Sequence, residues 1–384
     1  MFFTATARPR MVVPMAMVCV LAGRLLAQTK QTTAVKPGAL AKLADPWPDA
    51  DTLRAQRVDA EQRRLFAAPD AVALSLASDF KTINKDRSTE GKKHYPGVLT
   101  WTSEDGRTQT LHVTLRTRGH FRLRATTCSF VPLRVEFDKN EVKGTLFDHQ
   151  KSLKLITHCQ NDKEYEQYVM REYLVYRVLN LLTPRSFRAR LATMRYVQSS
   201  TEKPIITRLG MFLEDDDDVA RRMEGRAMDL QRALFKDVDP NTLTMTMVFE
   251  YMIGNTDFSL YALHNVRLIR TPEKVTYTVP YDFDLSGLVN TKYAIPDRAF
   301  GLKSVRDRRY RGPCRASDDL QPVLDQFKAH RDEIFALYDS LPDLDAGYRR
   351  EAKDYLAEFF RTLDRPGDVK RTFVDGQCSK ESTM

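Results

Sequence analysis

Asp257, Asn265, Asp282 and Asp284 are the residues of this chain whose types and spacing could do chemistry together. Gly254-Asn255-Thr256-Asp257 leaves an apolar helical run, Leu243 to Ile253. His264-Asn265 then enters an apparent hairpin, Val266 to Arg270 and Val275 to Val279 around Thr271-Pro272-Glu273-Lys274, which delivers Tyr281-Asp282-Phe283-Asp284. An Asp on a loop after a helix, an Asn entering a strand and an Asp leaving the next strand can converge on one point. Phosphoryl transfer uses such a set: one Asp orients and deprotonates an acceptor hydroxyl, while an Asn and a second Asp hold Mg²⁺ or Mn²⁺ on the phosphates of ATP. Asp and Asn are also ordinary turn formers, so Asp282 has a plainer reading as a loop cap.

A cation must join this set from the first half of the chain. Pro132 to Phe137 and Ser152 to Thr157 read as strands, the second with Leu153 and Leu155 on one face and Lys154 on the other. From Asp162 the apolar spacing becomes helical: Tyr165, Val169, Tyr176 and Leu179 form a stripe that Pro184 ends. Glu172 falls on that stripe, points inward and needs a cation there. Lys154 and Glu172 are therefore expected to meet beneath the phosphates, with Lys151 and Arg134 as alternative cations.

The elements that must position these residues divide into two halves. Val72, Leu74 and Leu76 alternate as in a strand, and Gly97 to Thr102 joins Thr108 to Thr117 across the turn Glu104-Asp105-Gly106. Thr193 to Val197 and Ile205 to Leu213 look like a strand pair around Glu202-Lys203-Pro204. Leu320 to Tyr338 reads as one further helix and Tyr348 to Phe360 as the last. The expected organisation is a signal peptide over 1–27, a polar leader over 28–60, a β-rich lobe over 61–213, a helical lobe over 214–364 carrying the reactive segment, and a tail over 365–384. Such an α+β, two-lobed chain would carry its site in the cleft.

The remaining composition sets bounds. Hydrophobic residues make up 42% of the 384 and charged residues 29%, which excludes disordered and fibrous classes. Arg8 and Arg10 precede an apolar run from Met11 to Ala22 followed by small residues, the order of an export signal; the run is too short to span a membrane, which takes about 20 residues. An exported, periplasmic or extracellular protein without a membrane span is expected. The net charge of +9 falls by two or three once the signal is removed, and no nucleic-acid-binding motif accompanies it, so no nucleic-acid partner is expected. Cys128, Cys159, Cys314 and Cys378 remain, an even number that permits three pairings. A within-lobe pattern, Cys128 with Cys159 and Cys314 with Cys378, is slightly favoured over bridges between the lobes.

Arg118-Gly119-His120, Pro132-Leu133-Arg134-Val135-Glu136-Phe137, Leu153-Lys154-Leu155, Gly210-Met211-Phe212-Leu213-Glu214, Asp257, Asn265 and Pro280-Tyr281-Asp282-Phe283-Asp284 resemble, in order, the CotH family of spore-coat protein kinases. The resemblance covers about Ala71 to Val289 and implies an atypical protein-kinase-like fold. It also implies Asp257 as catalytic base, Asn265 and Asp282 as metal ligands, Lys154 near the phosphates with Glu172 as its partner, and Glu214 near the lobe hinge. Tyr281-Asp282 is similar, more distantly, to the metal-binding Tyr-Asp of HipA-type kinases. The chain departs from the pattern in two ways. Asn265 lies further from Asp257 than in typical kinases, so Ser259 or Asp284 could complete the metal site instead. No G-x-G-x-x-G or Walker A sequence occurs, so the phosphates would need Arg118-Gly119-His120 or the strand lysines instead of a glycine loop. The expected activity is transfer of phosphate from ATP to a protein or small-molecule hydroxyl, with an inactive binding module of the same fold as the alternative.

Weaker signals have plainer readings. Arg298, Lys303, Arg306, Arg308, Arg309 and Arg311 suggest either a surface for an acidic partner or a solvated loop. Asp215 to Asp218 reads as a charged helix start rather than a Ca²⁺ site. His264 is expected to be structural.

Overall fold

Alternating strands of the first half close on themselves. The computed structural model describes residues 44–376 and 378–379; the expected signal peptide and the leader up to residue 43 lie outside the described residues. Seven strands, β1 (Val72–Ser78), β2 (Tyr95–Thr102), β3 (Thr108–Thr117), β4 (Leu133–Phe137), β5 (Ser152–Ile156), β6 (Ala189–Gln198) and β7 (Lys203–Leu213), form a closed barrel in the order β1-β2-β3-β4-β5-β7-β6. Neighbours are antiparallel except β1 and β6, which pair in parallel and close the barrel. Leu76, Leu115, Leu133, Leu153, Leu155 and Phe212 fill the interior and are fully buried. Each contributes about 1.5–3 kcal/mol by leaving water. The expected β-rich lobe is thus a barrel rather than an open sheet.

The polar leader contains a helix, α1 (Ala50–Glu61), capped by Asp49 accepting from the Thr52 N–H. Arg63 just beyond it forks onto Asp218 at 2.9 Å and fastens the leader to the second half. α2 (Glu164–Leu182) is buried on nearly every side, as a helix wedged between barrel and helical half must be. The segment after β7 leads into α3 (Asp216–Arg222), where Asp215 caps the helix by accepting from the Asp217 N–H. The acidic run is therefore a helix start. Next come β8 (Arg226–Met228), α4 (Pro240–Ile253), β9 (Val266–Arg270) and β10 (Thr276–Pro280); β8, β9 and β10 make a small antiparallel sheet.

The expected helix over 320–338 is two, α5 (Ser317–Ala329) and α6 (Arg331–Asp339), broken at His330. α7 (Ala346–Leu363) completes the core through Tyr355, Leu356 and Phe359. Disulfides join Cys128 to Cys159 and Cys314 to Cys378, the pairing favoured from sequence. Among the described residues no helix is long and apolar enough to cross a membrane.

Candidate functional site

α4 aims the reactive loop. Asp239 caps its start, accepting from the Thr242 N–H, and Gly254 ends it in the left-handed conformation at φ 66°. A side chain at 254 would meet the Tyr355 hydroxyl at 2.1 Å, so the chain can turn there only through glycine. Asn255 then accepts the Asp257 N–H at 3.0 Å. Arg311 reinforces the loop from behind, donating to the carbonyls of Thr256 and Phe258.

Asp257 and Asn265 come together. The Asn265 amide donates to the Asp257 carboxylate at 3.0 Å and to its carbonyl at 2.7 Å, while His264 Nε2 lies 3.1 Å from the other carboxylate oxygen. His264 is thus part of the site, and the Asp257 hydrogen bond raises its pKa above the ordinary value. Ser259 instead turns its hydroxyl back to accept the Ala262 N–H, away from a ligand role. Asn265 and Asp282 both sit at positive φ, 55° and 66°, a conformation these residues adopt at a cost. For Asp282 the strain is held by its own N–H donating to the Tyr176 hydroxyl at 2.9 Å.

Asp282 and Asp284 crowd Glu172. Burial pushes the Asp284 carboxyl up to about 7, with the charge of Asp282 adding and that of Arg122 opposing. Glu172 is 2% exposed, as its place on the α2 stripe requires. Burial, then Asp284 and Asp282, raise it well above the ordinary carboxyl range against Arg122 and Arg118. The Tyr293 hydroxyl donates to Asp284 at 3.1 Å, and its ring lies beside Phe121 and Tyr165.

The expected pair of Lys154 with Glu172 does not form. Lys154 Nζ lies 3.1 Å from Asp216 Oδ1 and 4.5 Å from the Tyr281 ring centre. Lys154 does leave β5 on the face opposite Leu153 and Leu155, but α3 supplies the carboxylate. Burial lowers the Lys154 ammonium to about 8 despite Asp216. Burial would raise Asp216, yet Lys154 and Arg267 outweigh it and hold that carboxyl at about 2. Lys154 continues a cross-strand row, since Arg116 stands opposite Arg134 and Arg134 opposite Lys154. Arg116 is paired with Glu136, and Arg134 donates to Ser152. Lys151 precedes β5 and is exposed. Arg118, half-buried at the end of this face, forms no side-chain hydrogen bond or ion pair among the described residues and acts electrostatically on Lys154, Glu172 and Tyr281.

Glu214 stands at the junction after β7, where a hinge residue belongs, but its carboxylate is consumed. Arg188 and Arg222 both fork onto it, and the Arg188 N–H donates to it at 2.9 Å. Its side chain is fully buried, so it ties the start of β6 to the end of α3 and offers no free oxygen to a ligand. The basic segment is likewise neither a free surface nor a solvated loop throughout: Arg308 lies 3.6 Å and Arg306 4.6 Å from the Tyr355 ring centre, and Arg311 braces the Asp257 loop.

Sequence reasoning missed Arg122 and Asp216. Arg122 donates to the Thr157 carbonyl and carries the charges of Asp284, Glu172 and Asp282 around it. Its signal was adjacency to Arg118-Gly119-His120. Asp216 was hidden among four consecutive aspartates.

Among the described residues no three His, Cys, Asp or Glu side chains stand close enough to hold a metal ion. Asn265, Asp282 and Asp284 nonetheless suit Mg²⁺ chemically, because that ion takes one or two carboxylates and completes its shell with phosphate and water. The mutually repelling Asp282 and Asp284 are the observation that fits a cation.

No family model matches the chain, and no curated protein does. The crystal structure of a Helicobacter pylori proinflammatory kinase, CtkA, is similar to 60% of this chain and covers 88% of its own, with 11% identity and a TM-score of 0.36. A likeness that distant carries no argument about function.

Proposed function

We propose that this chain is a kinase-like phosphotransferase that moves the terminal phosphoryl group of ATP to a hydroxyl on a protein or small molecule. One observation carries the reading: a row of cations across β3, β4 and β5 ends at Lys154, and the unpartnered Arg118 acts on Lys154, Glu172 and Tyr281, beside Asp282. Lys154 lies against Tyr281, the neighbour of Asp282.

In this reading Arg118 and Lys154 neutralise phosphate oxygens, with Arg122 behind them. A bound Mg²⁺ or Mn²⁺ on Asn265, Asp282 and Asp284 supplies further charge neutralisation on the phosphates. Asp257 accepts the proton of the acceptor hydroxyl as its oxygen bonds to the terminal phosphorus, the bridging P–O bond breaks, and ADP leaves with the electron pair. Asn265 and His264 hold the Asp257 carboxylate in place.

The rival reading, a binding module without turnover, is favoured by one feature: both oxygens of Asp257 are already engaged, by His264 and Asn265. Thermal-shift titration of the purified protein with nucleotides and Mg²⁺ or Mn²⁺, beside Asp282→Ala, tests binding. A metal-dependent nucleotide shift lost in the variant supports a nucleotide site. Phosphate transfer from labelled ATP that Asp257→Asn abolishes separates the enzyme from the module, and absence of any shift with every nucleotide sinks both the site and the activity.

A further inference from the structure

A cavity of about 360 Å³ shares no lining residue with the acidic loop or the cationic face. Its walls include Phe66 and Pro69 ahead of β1, Arg177 and Asn180 of α2, and Arg188 and Arg222. The volume falls within the usual range for small-molecule pockets, roughly 300–1,000 Å³.

No Asp or Glu lines it. In Arg188 and Arg222 every guanidinium nitrogen donates to a protein oxygen, but Glu214 behind them cancels only one of their two charges. Arg177 is different. Its one hydrogen bond runs to the Tyr173 hydroxyl at 2.7 Å, leaving the rest of the guanidinium fork untied. Asn180 spends its amide nitrogen on Ser186 and the Phe187 carbonyl, which leaves its oxygen as a free acceptor. One guanidinium with a single hydrogen bond, two further cations and apolar walls make a site with a charged end and a greasy end.

We infer that this cavity binds a small organic anion, a carboxylate or phosphomonoester, with its head on Arg177 and its apolar body against Phe66 and Pro69. The site stands on its own and does not require the phosphotransferase reading. A ligand there touches the two arginines that hold Glu214 after β7, so it bears directly on the junction between barrel and helical half.

Thermal-shift titration of the whole chain with benzoate, phenyl phosphate and neutral benzamide tests it. One or both anions should give a saturable upward shift that benzamide does not, and the more effective anion identifies the head group. The shift should vanish in Arg177→Gln, which gives up the hydrogen bond to the Tyr173 hydroxyl and the contact with its ring. It should vanish also in Ala68→Phe, which blocks the mouth from an exposed position and leaves the charge in place. No saturable shift with either anion, an equal shift with benzamide, or a shift that survives in either folded variant overturns the inference.

Discussion

Lys154 is joined to Asp216 across the junction of barrel and helical half, with Nζ 3.1 Å from Oδ1, and Arg267 grips the other oxygen of the same carboxylate at 2.6 Å. The lysine that would face phosphates is therefore positioned by the first turn of α3 and not by α2. Asp216→Ala should strand a largely buried ammonium and cost about 2–3 kcal/mol in chemical denaturation. Glu172→Gln should stay within about 1 kcal/mol of wild type, because it removes a carboxyl already crowded by Asp282 and Asp284. A larger loss at Glu172 than at Asp216 contradicts this assignment.

Gly254 sets the aim of Asp257. Gly254→Ala adds a left-handed strain of about 1–2 kcal/mol to a clash with the Tyr355 hydroxyl. Adding Tyr355→Phe removes the oxygen and leaves the nearest ring carbon at 3.3 Å, so the double variant should recover part of the loss. A double-mutant cycle of melting midpoints measures this, and strict additivity would mean the contact is not felt.

Glu250, on the buried face of α4, has neither carboxylate oxygen in a well-formed hydrogen bond. Burial pushes it up to about 8. A raised acid takes up a proton on folding between its unfolded value, near 4.5, and its folded one. Stability should therefore fall as pH rises through that window, on the order of 1 kcal/mol per unit. Glu250→Gln should flatten the slope and be the more stable protein at pH 8; equal slopes in both proteins refute the burial argument.

His264 works in the opposite sense from a depressed acid. Its pKa is raised by Asp257, so the stabilisation is full below the unfolded value of 6.5 and disappears as pH climbs through the folded one. The side chain is 56% exposed, which keeps the effect to a few tenths of a kcal/mol. Comparing His264→Ala with wild type should show a stability gap at pH 5.5 that closes by pH 8.5, whereas a gap independent of pH points to packing alone.

The Cys314–Cys378 bridge closes a separation of 64 residues and fastens the tail beside the segment carrying Arg311. Replacing both cysteines by serine should cost about 2–4 kcal/mol. The same variant should quicken proteolysis of the tail before the barrel, which limited digestion followed by mass mapping reads out.

What the amino-acid order determined by itself is local: the face of a strand, the stripe of a helix, the residue that must stop a helix. Period-two alternation turned Lys154 away from Leu153 and Leu155, period-3.6 spacing turned Glu172 inward, and Gly254 ended α4 where the apolar run stopped. Asp257, Asn265 and Asp282 were legible because they bracket one short hairpin, whose closure needs no distant partner. The tertiary structure decided which elements face each other. The parallel closure of β1 on β6 joins segments more than a hundred residues apart, and no local pattern encodes that choice. Asp216 rather than Glu172 reached Lys154 for the same reason: four adjacent aspartates look alike in sequence, and only the packing of α3 puts Asp216 beside Lys154 and turns Asp218 to Arg63. The burial of Glu214 under two arginines and the open fork of Arg177 are also products of packing, since a charge is spent or free according to what lies within hydrogen-bond reach.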